Sequence, residues 1–412
     1  MKKKYLLFGI WAASTLYTYG QQKTDTGYQK KKLSNTEVQI VYSHYIQNGN
    51  HSAVTGGIGT EKMTVFSPDL TIKKQIDSFR SYTLNTGVDV VSSASVDNID
   101  FVVSSASKVD GHIYLNFNYR KKLQHRPLTI GGGMMFAMES DFLSAGFALS
   151  GSRLSIDQSR ELTADLEVYF DDLRWGHLSG ESPRILVYPQ ELRYKDWFTQ
   201  KTRQSYNLTL GWNQVVNRRV LFAIFPGVSY QQGLLSTPFQ RTYLKDTSVH
   251  VENLPNKRIK IPIGFQLNAF VGGRTAIRSF YRFYWDDWGI IANSLQIEVP
   301  YKISPAFSLA PLVRLYAQSG ANYFLPYARH ELNAKYYTSD YDLSRFTSYE
   351  LGLETRLTPL GNRSENPVKK FAFRYSFYKR SDGLHAHLLT FLLDVPVKKT
   401  DKVKIEYPPE EY

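Results

Sequence analysis

Apolar and polar residues alternate along most of this chain with a period of two. In Phe371-Ala-Phe-Arg-Tyr-Ser-Phe-Tyr378, Phe371, Phe373, Tyr375 and Phe377 share one face of an extended strand, and Ala372, Arg374, Ser376 and Tyr378 share the other. The same rhythm sets Leu162, Leu166, Val168 and Phe170 against Thr163, Asp165, Glu167 and Asp171. It sets Ile259, Ile261, Ile263, Phe265 and Leu267 against Lys260, Gly264, Gln266 and Asn268, and Tyr349, Leu351, Leu353 and Leu357 against Glu350, Gly352, Glu354 and Arg356. A soluble sandwich buries its apolar faces in a common core. A barrel in lipid turns the apolar face outward and the charged face into a lumen.

Segmenting on this period predicts about sixteen strands, an even number that suits a closed antiparallel barrel with both ends on one side. The predicted spans are 37–47, 61–76, 80–92, 111–122, 127–138, 142–155, 160–175, 204–216, 219–234, 257–271, 275–286, 291–303, 307–323, 345–358, 368–380 and 384–396. The links provide a second test. Those at 77–80, 123–126, 157–158, 217–218, 272–274, 304–306 and 359–366 are short, whereas those at 48–60, 93–110, 176–203, 236–256 and 324–344 are long. Short periplasmic turns opposed to long external loops are the asymmetry of outer-membrane barrels, and one missed strand would have mixed the two sets.

The N-terminus fits that compartment. Lys2, Lys3 and Lys4 precede a short apolar stretch, Tyr5 to Ala13, and Thr18-Tyr-Gly20 offers small residues for cleavage. The stretch is far short of the roughly 20 residues a spanning helix needs. The expected organisation is a signal peptide over 1–20, a short periplasmic segment over 21–36, an outer-membrane barrel over 37–397 and a periplasmic tail over 398–412, with both termini periplasmic. The formal charge of +13 falls by three when the leader lysines are removed. An exported barrel is not expected to meet nucleic acid, so this excess points to anionic headgroups or lumenal anions. With no cysteine, disulfides, a thiolate nucleophile and sulfur-bound metal are excluded.

Candidate chemistry clusters in the predicted loops. The segment Gln47 to Glu61 is glycine-rich and polar, and Asn50, His51, Ser52, Thr55 and Glu61 would form a ligand or gating loop. His51 beside Ser52 also raises the chemistry of an outer-membrane hydrolase, although neighbours on a strand point to opposite faces. The near-repeat Ser92-Ser-Ala-Ser-Val-Asp97 and Ser104-Ser-Ala-Ser-Lys-Val-Asp110 brings Asp97, Asp100 and Asp110 as oxygen ligands without the spacing of a defined calcium loop. Glu139, Asp141, Asp286, Asp287 and Asp340 fall at predicted external strand ends and would make an acidic mouth, though turns favour Asp in any case. In the lumen, Arg278, Arg282, Arg314 and Arg374 stand with Glu350 and Glu354. Such charges either line an open pore or pair and close it.

In Gly49-Asn-His-Ser-Ala-Val-Thr-Gly-Gly-Ile-Gly-Thr-Glu61 the chain resembles an uncharacterised domain-of-unknown-function family of Bacteroidota-type outer-membrane barrels. The resemblance continues through Ser92-Ser-Ala-Ser95, Glu139-Ser-Asp-Phe-Leu-Ser144, Tyr281-Arg-Phe-Tyr-Trp-Asp-Asp-Trp-Gly289, Arg314-Leu-Tyr-Ala-Gln-Ser319 and Thr338-Ser-Asp-Tyr341. It implies an outer-membrane location and no assigned activity, and it carries over no known catalytic residues. It also implies neighbours that include a periplasmic lipoprotein and a redox protein. The expected function is a non-enzymatic channel or transporter for a small solute or metal ion, without a cofactor. The alternative is a closed barrel that anchors or displays a partner. Its expected partners are outer-membrane lipid, the barrel-assembly machinery during biogenesis and that periplasmic lipoprotein or redox protein.

Overall fold

The computed structural model describes residues 35–397, except 95–108, 125, 175, 178–183, 186, 188–191, 193–194 and 360–367. The expected leader and tail, and most of the predicted 93–110 loop with Asp97 and Asp100, lie outside the described residues.

Sixteen strands form one antiparallel sheet. The first eight are β1 (Asn35–Asn48), β2 (Lys62–Gln75), β3 (Arg80–Ala94), β4 (Val109–Lys122), β5 (Leu128–Met138), β6 (Leu143–Leu154), β7 (Arg160–Asp172) and β8 (Thr202–Asn217). The rest are β9 (Val220–Gly233), β10 (Lys257–Val271), β11 (Thr275–Asp286), β12 (Ile291–Glu298, resumed at Tyr301–Lys302), β13 (Phe307–Gln318), β14 (Phe346–Leu357), β15 (Lys370–Arg380) and β16 (His385–Val397). Each strand pairs with its neighbour in sequence, and β1 pairs with β16 from Thr36↔Val397 to Asn48↔His385, closing the ring. Closure satisfies every sheet edge, which a strand sheet in lipid requires.

The alternation read from sequence becomes an inside and an outside. Ile130, Met134, Phe136, Phe147, Leu149, Leu315 and Leu351 are exposed large apolar side chains on one face. The residues between them turn inward, as on β15, where Ala372, Ser376 and Arg380 are buried while Phe371 and Tyr375 are exposed. An apolar outer belt around a polar interior is the signature of a transmembrane barrel.

All sixteen predicted strands are present, and the five expected long connections all follow odd-numbered strands and so fall at one end. The largest boundary difference is in β13, predicted to 323 but ending at Gln318. Beyond it, Ala321 and Phe324 are apolar for another reason: Ala321 packs with Ile290 and Ala292, and the Phe324 ring meets Tyr341 edge-on with centroids 5.1 Å apart.

Candidate functional site: a capped, charge-segregated lumen

Three long connections, after β1, β9 and β13, fold together at one end of the barrel. The glycine-rich motif begins this cap because its backbone enters conformations closed to other residues. Gly56 and Gly57 have φ of 80° and 83°. A Cβ on Gly57 would stand 2.7 Å from the Ser339 carbonyl oxygen, and one on Gly56 would stand 2.6 Å from the Tyr243 ring. Thr55 is buried and its hydroxyl donates to the carbonyls of Ser52 and Ile58. His51 Nδ1 lies 3.0 Å from Gly57 O, and its ring stacks on Tyr341. Ser52 is buried and its carbonyl accepts from Thr55 and Gly57 N–H, whereas Asn50 is exposed. The loop motif thus meets the Thr338–Tyr341 motif, two stretches far apart in sequence.

The second connection contributes a short hairpin, Arg241–Tyr243 paired with Val249–Val251, followed by the almost fully buried Glu252. Glu252 accepts from Thr237 N–H at 2.7 Å and from the Thr338 hydroxyl at 2.5 Å. Burial, reinforced by the charge of Asp340, pushes Glu252 up to about 8. Burial and neighbouring Asp342 also raise Asp340, which accepts from Gln240 Nε2 at 3.2 Å. Glu61, beside the same acids, rises to about 7, chiefly through burial.

Lumen-facing side chains tie the cap to the wall. Gln318 Nε2 on β13 donates to Asp342 O at 2.9 Å and Ser344 O at 2.6 Å. Arg380 on β15 donates to Asp342 Oδ1 at 2.5 Å and Tyr341 O at 2.8 Å, and its guanidinium covers the Phe346 ring at 3.9 Å. Arg380 and Glu252 were not singled out by the sequence. Their partners come from different loops, so no local pattern marks them.

The predicted acidic mouth divides into three parts. Glu139 and Asp141 gather with Asp110, each offering an oxygen within 4.8 Å of the others, an arrangement of the kind hard cations use. Burial, then Asp141 and Asp110, raises Glu139 to about 7. Asp286 and Asp287 are committed to structure instead. Asp286 is fully buried, accepts from Trp288 and Ile290 N–H at 3.0 and 2.9 Å, and pairs with Arg258 at 2.5 Å. Asp287 accepts from Ile259 N–H at 3.0 Å. Asp340 belongs to the cap.

The lumen holds an acidic excess on one wall and a basic excess on the other. On β2 to β8 the inward positions carry Asp69, Asp89, Asp165, Glu167 and Asp171, with Arg120 and Arg203 among them. On the facing strands β10 to β15 they carry Arg258, Lys260, Arg278, Arg282, Arg314, Arg356, Arg374 and Arg380, against Asp286, Glu298, Glu350 and Glu354. Among the described residues the recorded barrel ion pairs run along a wall. Arg374 reaches Glu354 at 2.6 Å and Glu298 at 3.0 Å, Arg278 reaches Glu298 at 3.0 Å, and Arg356 reaches Glu354 at 2.5 Å. On the other side Arg203 pairs with Asp171 at 2.7 Å, and Asp69 accepts from Tyr114 at 2.8 Å. None of these bridges the two walls. Arg374, which the sequence left between lining and closing the lumen, is held by Glu298 and Glu354 of its own wall.

A closed sixteen-stranded ring with an apolar exterior, a charged interior and loops folded over one mouth defines an integral outer-membrane β-barrel of porin-like form. Residues 108–383 match the model of DUF3570, a protein family of unknown function, and the chain belongs to that family. A sequence search of curated proteins found no match. Among solved structures, the chain is similar to Pseudomonas aeruginosa OpdK with vanillate, at 8% identity and a TM-score of 0.42, over 89% of this chain and 98% of that one. It is similar to a BenF-like porin from Pseudomonas fluorescens Pf-5, at 9% identity and 0.41, over 90% and 100%. A bacterial polysaccharide outer-membrane secretin aligns at 8% identity and 0.48, over 88% and 98%. These likenesses are loose, and the fold assignment rests on the closed strand order itself.

Proposed function

We propose that the barrel is a channel for small polar or charged solutes, with its long loops outside the cell and its short turns and both termini in the periplasm. The observation that carries this reading is the opposite charge excess of two lumen walls whose ion pairs run along each wall. Side chains that paired across the interior would seal it. Side chains held against their own wall leave water and ions a path, and sixteen strands give a ring wide enough for one.

Reconstitution in planar bilayers tests the proposal. Stepwise ionic conductance is the expected result. Silence in bilayers and no solute-driven swelling of loaded liposomes, in the native protein and in the cap-opened variant below, would overturn it.

The cap favours a second reading, a barrel that is normally shut or that serves as an anchor. A His51→Ala, Tyr341→Ala variant separates the two. Conductance that appears only in that variant indicates a gated channel, whereas silence in both proteins supports an anchor.

A further inference from the structure

Beneath the cap lies a cavity of about 280 Å³, roofed by Asp342 and Leu343 and walled by β10 to β13. Its basic groups differ in how they are satisfied. Arg258 is paired with Asp286 and lies over Trp288, its guanidinium carbon 4.2 Å from the ring centroid. Arg282 and Arg314 are both exposed to the lumen, and neither has a carboxylate within ion-pair distance among the described residues. Glu350, directly opposite Arg314 in the sheet, is not salt-bridged to it. Asp342 at the roof is held by Arg380.

Both guanidinium groups line the same cavity without a carboxylate partner among the described residues. Ser294 stands directly across from Arg282, and Arg314 Nε donates to Ser294 Oγ at 3.2 Å, leaning one row toward the cap. The cap end of the cavity is apolar, with Ile290 and Ala292 buried and Leu343 packed against them. Guanidinium forks match carboxylate and phosphate geometry, and two of them in a partly enclosed site bind such groups more strongly than exposed surface charges would. The apolar end selects a ligand with a hydrocarbon body over an inorganic ion.

We propose that Arg282 and Arg314 form a binding subsite for a small organic carboxylate within the lumen. The proposal deepens the channel reading by naming a solute class, and it rests on that reading only for its physiological role. Binding is measured on the full chain in detergent by isothermal titration calorimetry at low salt. The probes are benzoate, benzyl alcohol as its uncharged counterpart, and inorganic phosphate. Benzoate is expected to bind and benzyl alcohol not to. Arg282→Gln and Arg314→Gln should each weaken benzoate at least tenfold, Arg→Lys should restore part of the loss, and Arg120→Gln near the far end of the lumen should leave it unchanged. Heat-modifiable gel migration checks that each variant folds. No benzoate binding, binding unchanged in the double variant, or tighter binding of phosphate than of benzoate overturns the proposal. Conductance without benzoate binding sinks this subsite alone, and benzoate binding without conductance sinks the channel reading alone.

Discussion

The His51 imidazole lies flat on the Tyr341 ring, with centroids 3.8 Å apart and planes 10° apart. The contact joins the loop after β1 to the loop after β13, and so fastens the cap at two points far apart in sequence. Together with Nδ1 beside Gly57 O, it gives His51 a structural role in the loop. A ring pair of this kind contributes about 0.5–1.5 kcal/mol beyond its burial. Tyr341→Ala should therefore loosen the cap without unfolding the barrel. Limited proteolysis should cut within 49–61 several times faster, with the melting of the barrel unchanged. Equal cutting rates would show that the stack does not hold the loop.

The cap should weaken as pH rises. Glu252 and Glu61 have folded values raised to about 8 and about 7, so the folded cap binds more protons than the opened one. Stability contributed by a raised carboxyl is complete below its unfolded value, roughly 4.3, and is lost as pH rises to the folded value. Hydrogen-exchange protection in 236–256 and 338–344 should accordingly fall between pH 5 and 8. In Glu252→Gln the amide oxygen still accepts from Thr237 N–H and the amide nitrogen donates to the Thr338 hydroxyl. That variant should keep more of its protection at pH 8. Protection factors flat across this window would contradict the assignment.

Gly57 tests the close packing of the same loop. Its φ of 83°, and the 2.7 Å at which a Cβ would stand from Ser339 O, leave no room for a methyl group facing backbone. Gly57→Ala should cost the cap more than about 1 kcal/mol, the scale of left-handed strain alone. The expected readout is faster exchange at Ser339 and Tyr341, while Gly151→Ala, with open space around it, serves as the neutral control.

How much of this was legible in the sequence differs between wall and cap. A strand in lipid must alternate at every position, so Phe371 to Tyr378 announces its two faces without reference to any partner. The glycines of 49–61 likewise announced unusual backbone and close approach, and Gly56 and Gly57 bear that out. Their partners could not be read, because Tyr243, Ser339 and Tyr341 arrive from other loops. β13 was expected to run to residue 323, but Ala321 lies past its end and is buried by packing in the cap. The acids proposed as one mouth parted for the same reason: Asp286 satisfies a turn and Arg258, while Glu139 and Asp141 face Asp110.

The ionic belt should matter to the barrel wall. Glu298 and Glu354 are both nearly buried and both depend on Arg374. Removing one partner of a buried pair costs about 3–5 kcal/mol, and the lumenal exposure of Arg374 reduces that to the order of 1–3 kcal/mol. Arg374→Gln should lower the urea midpoint of the reconstituted barrel, and Arg374→Lys should recover part of it. Loss of the same size in Arg120→Gln would mean that the effect is one of net charge rather than of the belt.

Adjacent residues on one strand provide the sharpest test of which face meets lipid. On β6, Leu149 is 64% exposed on the outer face, whereas Ser150 pairs opposite Asp165 on the inner one. An arginine on the lipid face near the bilayer midplane costs about 2–4 kcal/mol, while the same residue in a water-filled lumen beside an acid does not incur that desolvation. Leu149→Arg should therefore reduce the folded fraction in liposomes steeply, and Ser150→Arg should fold close to normally. The lumenal arginine would instead shift ion selectivity, because it neutralises part of the acidic wall. Equal damage from both substitutions would contradict the assignment of inner and outer faces on β6, and with it the direction in which the acidic wall points.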